Sequence, residues 1–204
     1  MNDRLRTRLL AAVTLLCLGA AAWITFAPER RPGRAQRTDL ADQLAAWIAR
    51  EAKSGDTGPL LLLAPAEDAT DPFPGALAAR AEKHMTRAGF SPVVVLHVPY
   101  APGLESSGEP LSEETLREAL QAHPESRAVL SLVGLPRLTT PLAPAGGKPV
   151  RLFAASTVKM DYLDAVPAGV VEFVIGVRND SAGGTPGDPA LGELGRYFTL
   201  KRWP

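Results

Sequence analysis

Apolar and polar positions divide the chain into three textures. From Leu9 to Ala27 no residue is charged. Residues 28–38 are rich in Arg and Pro and read as a linker. Beyond them, short apolar runs alternate with stretches whose apolar residues recur at helical spacing. The first such stretch covers residues 39–53, where Leu40, Leu44, Trp47 and Ile48 form one stripe and Gly55 and Gly58 stop the helix. Helices are also predicted over 74–88, with Leu77, Ala81, Met85 and Ala88 on one face, over 112–122, and briefly over 157–164. In the second of these, Ser112 is the N-cap, and Glu113 and Glu114 suit the positive end of the helix dipole.

Strands are predicted at residues 59–64 (PLLLLA), 92–98 (PVVVLHV), 127–133 (RAVLSLV), 150–155 (VRLFAA) and 170–177 (VVEFVIGV). A sixth, at 196–202 (RYFTLKR), alternates as an edge strand does. Three of the runs are apolar almost throughout, which is the signature of strands covered on both faces, and so of a parallel sheet. The βαβαβ order says the same. With right-handed crossovers, helices fall on both sides. The fold class is therefore α/β: a three-layer, doubly wound, mainly parallel sheet of five to six strands, preceded by one N-terminal transmembrane helix. Its parts are a leader at 1–8, a signal anchor at 9–27, the linker at 28–38 and a single α/β domain over 39–204.

The anchor rests on length. The uncharged run is about 19 residues, roughly 28 Å of helix, which matches a bilayer core. Trp23 and Phe26 lie near its far end, where interfacial aromatics belong. A cleaved signal peptide is the competing reading, since Ala20, Ala21 and Ala22 supply a small-x-small site. Continuation of the run through Trp23, Ile24 and Phe26 favours retention. Flanking charges do not orient it: Arg4, Arg6, Arg8 and the amino terminus against Asp3 balance Arg30, Arg31, Arg34 and Arg37 against Glu29. A leader this short favours a cytoplasmic N-terminus. The expected location is the inner membrane, single-pass, with the domain on the periplasmic side and the membrane as a partner through the N-terminal helix.

Composition removes several function classes. The 22 basic and 22 acidic residues cancel, and no basic patch alternates with aromatics, so nucleic acid is not a partner. The single cysteine, Cys17, lies inside the apolar run, which excludes an intramolecular disulfide and a thiolate metal cluster. No G-x-G-x-x-G or Walker loop follows the first strand, and Ser156 lacks the G-x-S-x-G context of a nucleophile elbow. No cofactor is implied.

Candidate chemistry sits at the strand ends, because open α/β sheets bind ligands beyond the carboxyl ends of their strands. Glu67, Asp68 and Asp71 follow the first run, with Pro72 and Phe73 opening the next helix. His97 and Tyr100 close the second; Gly134 and Arg137 follow the third; Ser156 and Thr157 the fourth; Arg178, Asn179 and Asp180 the fifth. The acidic trio is either a cation site or a solvated loop in which Asp71 caps the helix. His97 is either a general base or an ordinary strand-end residue. The candidate ligand-binding set is Glu67, Asp68, Asp71, Phe73, His97 and Arg178.

The segment DPFPGALAARAEKHMTRAGF (71–90), continuing through HPESRAVLSLVG, resembles one lobe of type I periplasmic sugar-binding proteins over about residues 59–135. The resemblance implies a ligand-binding lobe in which Asp71 and Phe73 line the site and Phe73 stacks on a sugar ring. Those proteins use two lobes, and this chain has room for one. A second likeness, through GLPRL at 134–138 and residues 151–176, is to response-regulator receiver domains. That family's phosphoacceptor aspartate falls at Leu132 here, so the phosphoryl-transfer carboxylate is missing. The combined expectation is a membrane-anchored envelope domain, more non-enzymatic than not, that binds a small solute or a protein partner. The alternatives are an accessory subunit of a membrane complex and a hydrolase using Asp71, His97 or Ser156.

Overall fold

The computed structural model describes residues 34–66, 72–98, 111–142, 149–156, 166, 169–177 and 189–203. The chain divides into two units, Met1–Gln36 and Arg37–Pro204. The sheet and its cores belong to the second; of the first, only the opening of one helix is described. That helix, α1, spans Arg34–Ala52 and starts before Asp39, inside the expected linker. Pro32 and Gly33 are the local breakers, whereas residues 34–38 are tolerable helix formers. After α1 come β1 (Leu60–Pro65), α2 (Pro72–Ala88), β2 (Val93–Val98), α3 (Glu113–Ala122), β3 (Ala128–Ser131), β4 (Arg151–Ser156), β5 (Phe173–Val177) and β6 (Phe198–Arg202). Two 3-10 turns, kinked at Gly192, occupy Pro189–Arg196 just before β6.

The six strands form one sheet in the order β2-β1-β3-β4-β5-β6. All neighbours are parallel except β5 and β6, which pair antiparallel. Side chains of alternate residues feed two cores, as the period of a strand requires. Leu60, Leu62, Leu130, Phe153 and Ile175 face the first, with Trp47 and Ile48 of α1 and Leu77 and Met85 of α2. Leu61, Leu63, Val129, Leu152 and Val174 face the second, with Leu116 and Leu120 of α3. Leu60 to Leu63 are each 0% exposed, and each such burial contributes about 1.5–3 kcal/mol. α3 starts as expected: the Ser112 hydroxyl oxygen accepts from the Thr115 backbone N–H at 3.1 Å.

The amino ends of the strands are tied by one side chain. Arg151, first residue of β4, donates from Nε and Nη2 to the two Glu172 oxygens at 2.6 and 2.8 Å. Its Nη1 donates to the carbonyls of Ala52, at the end of α1, and Asp56, at 2.8 and 2.9 Å. The guanidinium also lies 4.9 Å from the Phe153 ring centroid. One planar fork thus satisfies an orphan carbonyl of a helix end and a carboxylate together. Gly55 makes room for it, since a Cβ there would lie 2.7 Å from the guanidinium carbon.

The N-terminal anchor is corrected. Among the described residues no helix is long and apolar enough to cross a membrane. The longest, α1, has a buried stripe but carries Arg37, Asp39, Asp42, Arg50 and Glu51, charges that a bilayer core would not accept. The leader at 1–8 and the expected span at 9–27 lie outside the described residues. The fold is accordingly a mostly parallel α/β sheet without a transmembrane helix in its description. The membrane-anchored function, the signal anchor, the membrane as partner and the single-pass inner-membrane location are withdrawn with it.

Candidate functional site

Chain direction in the sheet reverses once. From β1 the chain moves outward to β2, then returns past β1 to β3 and continues through β4 and β5. The elements reached from β1 and β3 accordingly lie on opposite faces, α2 with the first core and Leu135 and Leu138 with the second. Doubly wound sheets bind ligands at such a switch point.

The carboxyl end of the sheet carries its buried polar side chains on one face only. Ser131, last residue of β3, and Ser156, last of β4, point the same way as the second core cluster. Ser131 is 0% and Ser156 5% exposed, two of three buried polar side chains among the described residues. The Ser131 hydroxyl donates to the Gly134 carbonyl, which turns the chain sharply where β3 ends. Gly134 has φ 90°, a left-handed conformation suited to glycine. Leu135 and Leu138 then tuck into the second core while Arg137 stays exposed. The opposite face of this end is apolar. Phe73, in the first turn of α2, is buried, and its ring stacks on Phe198 of β6 at 6.4 Å between centroids and 25° between planes.

The expected site residues are distributed as follows. Glu67, Asp68, Asp71, Tyr100, Thr157, Arg178, Asn179 and Asp180 lie outside the described residues, as does the short helix expected at 157–164. Phe73 belongs to the first core cluster. His97 is exposed on β2, paired with Ala64, and its Nδ1–H donates to the Pro65 carbonyl at 3.0 Å. In the neutral ring that bond leaves Nε2 as the acceptor. His84 bridges α2 to α1 through Asp42 at 3.2 Å, a surface contact with Arg80 nearby. This hydrogen bond, ahead of the neighbouring positive charges, holds the Asp42 carboxyl below its ordinary range. Among the described residues no group of three or more His, Cys, Asp or Glu could hold a metal ion.

Two features escaped the sequence reading. Ser131 could have been found, as the lone polar residue inside an apolar run. Val177 and Tyr197, 42% and 48% exposed, are the large hydrophobics left open among the described residues. Val177 pairs with Phe198, the residue after Tyr197, and nothing in either local pattern marks the two as exposed.

No family model matches the chain. No curated protein matches it. Solved structures match it in part. A periplasmic ribose ABC transporter protein from Conexibacter woesei DSM 14684 is 16% identical over 69% of this chain and 45% of its own, with a TM-score of 0.44. An ABC transporter substrate-binding protein from Desulfitobacterium hafniense, in complex with Leu, is 16% identical over 79% of this chain and 42% of its own, with a TM-score of 0.32. A second structure of an ABC transporter substrate-binding protein from that organism has a TM-score of 0.31. The chain spans less than half the length of these solved proteins, and the resemblance to periplasmic substrate-binding proteins is weak.

Proposed function

We propose that the domain is a non-catalytic binding lobe that takes a small polar solute in the crevice between the carboxyl ends of β1 and β3. The observation that carries this reading is the reversal of strand order at that point, with Ser131 buried at the end of β3 beside it. In this reading Glu67, Asp68 and Asp71 approach the solute from the β1 side and Arg178 from the β5 side. Phe73 forms a wall, and His97 lies at the rim.

The test is thermal unfolding of the protein against a panel of monosaccharides and amino acids. A solute at about a hundred times its Kd adds about 2.7 kcal/mol, which raises Tm by several degrees in a domain of this size. Asp71→Asn and Arg178→Gln should abolish the shift while leaving the unliganded melting temperature in place. A shift that survives both substitutions, or no shift with any solute, refutes the reading.

A further inference from the structure

The outer edge of β2 is a backbone surface with no strand on it among the described residues. Its register is fixed by Leu60 N–H donating to the Pro92 carbonyl at 2.9 Å and Ala66 N–H donating to the Val98 carbonyl at 3.0 Å. In a parallel ladder alternate residues face each neighbour. Residues 94, 96 and 98 therefore serve β1, and Val93, Val95 and His97 present their N–H and C=O groups outward. Val93, Val94, Val95 and Leu96 are half-buried, whereas Leu60 to Leu63 of the adjoining strand are fully buried. Val93 and Val95 belong to the first core face, Val94 and Leu96 to the second. Packing thus thins at this strand on both faces: Val93 to Leu96 keep part of their surface open, and only Val98, in the second core, is buried. Edge strands are ordinarily blunted by charge, proline or a bulge; Val93–Val98 has none of these.

We propose that this edge pairs with the same edge of a second copy of the chain, antiparallel about a two-fold axis at Val95, joining two sheets into one. The outward set is symmetric about Val95. Val95 faces Val95 of the second copy, and Val93 faces His97 of the second copy in hydrogen-bonded pairs, with Val94 against Leu96 of the second copy between them. Six outward N–H groups, three from each copy, meet six outward carbonyls. The charges favour this occupant. β2 carries no charged residue and the chain's formal net charge is zero, so two copies meet without like charges opposed. Head-to-tail pairing with the other edge would set Lys201 and Arg202 against apolar side chains. Symmetric self-pairing is also the commonest form of closed assembly. So short a strand covers only part of the roughly 1,000 Å² of a stable interface, so the dimer depends on concentration.

The test is sedimentation of the full chain over a wide concentration range, with hydrogen exchange read at single amides. Val95→Pro removes the central outward donors and leaves the β1 ladder untouched, because that N–H does not face β1. Val93→Lys keeps every backbone donor and adds an edge charge, which covers the case in which the proline variant fails to fold. The expected result is a monomer–dimer equilibrium in which the Val93, Val95 and His97 amides become protected as concentration rises. Each variant, folded by circular dichroism, should then dissociate about tenfold more readily or beyond. Association that persists in a folded variant, or that leaves these three amides unprotected, is carried by another surface, such as the apolar run at 9–27, and overturns the proposal. A chain that stays monomeric throughout also overturns it and leaves the edge to a strand from another protein.

Discussion

The two edges of the sheet are built differently. At β6 the strand is antiparallel, and its inward side chain Phe198 is buried against Phe73. Its solvent end is dressed with cations that have partners. Lys201 Nζ stands 5.0 Å from the Trp203 ring centroid, and Arg202 donates to Glu51 of α1 at 2.6 Å while lying 6.0 Å from the Trp47 ring centroid. At β2 the strand is parallel, aliphatic and uncharged, and half of its surface is open. Hydrophobicity does not separate the two; the difference is that the turns of Pro189–Arg196 pack beside β6 and its Arg202 is bonded to α1, whereas α2 packs on one face of β2 and leaves Val93 to Leu96 only half-buried. Both strands end the sheet, and the charged, partnered side chains of β6 blunt its edge in a way that the uncharged β2 edge lacks.

The comparison can be broken at several points. If β6 is a core strand in all but position, Phe198→Ala should cost about 3–5 kcal/mol, read as a fall in the urea midpoint. A cost near that of a surface change would show that the Phe73–Phe198 stack does not hold the edge. Arg151→Ala should cost about 2–3 kcal/mol, because it strands the carbonyls of Ala52 and Asp56 and leaves the half-exposed Glu172 unpaired. Arg151→Lys should recover little of this, since an ammonium cannot serve the carboxylate bidentately and both carbonyls together. On the open edge Val95→Ala should cost about 1 kcal/mol or less at low concentration, where no second copy is bound. A loss as large as that of Phe198→Ala would mean the β2 edge is already covered within the monomer.

The smallest effect is electrostatic. The Asp42 carboxyl is held below its ordinary range chiefly by its hydrogen bond to His84. A depressed folded-state pKa stabilises the fold above the unfolded value of about 4, and the gain is lost as pH falls through the folded value. The Asp42 side chain is 45% exposed and solvent screens the contact, so Asp42→Asn should cost only a few tenths of a kcal/mol near neutral pH and nothing in strong acid. Denaturant midpoints measured across that range check both halves.

Much of the fold was legible in the chain. PLLLLA and PVVVLHV read as strands and became β1 and β2, and Ser112 read as a cap and accepts the bond a cap should. β3 proved shorter than its apolar run because the Ser131 hydroxyl, bound to the Gly134 carbonyl, bends the chain out of the sheet. α1 started early because arginine-rich composition was read as a linker where arginine is a good helix former. What periodicity could not show was position. VVVLHV looks as buried as LLLLAP, yet one strand is at the rim and the other lies inside it, flanked by strands on both sides. Burial there follows from the side on which the crossovers return, a property of the whole sheet. The site shares this limit: every strand end could be named, but only the observed order singles out the gap between β1 and β3. The N-terminal anchor rests on apolar length and the aromatics Trp23 and Phe26 near its end, and neither decides what a segment does.

Helix α1 is fastened by residues far down the chain. The Trp47 indole N–H donates to the Ala190 carbonyl at 3.1 Å, Glu51 receives Arg202, and Ala52 receives Arg151. During synthesis, then, α1 leaves the ribosome first and can meet β1 and α2 early, through the first core and the Asp42–His84 contact. Its hydrogen bonds to Arg151, Ala190 and Arg202 must wait until β4, the turns of Pro189–Arg196 and β6 have followed. A ribosome that stalls between β5 and β6 would display a nearly complete sheet with its first helix only partly latched.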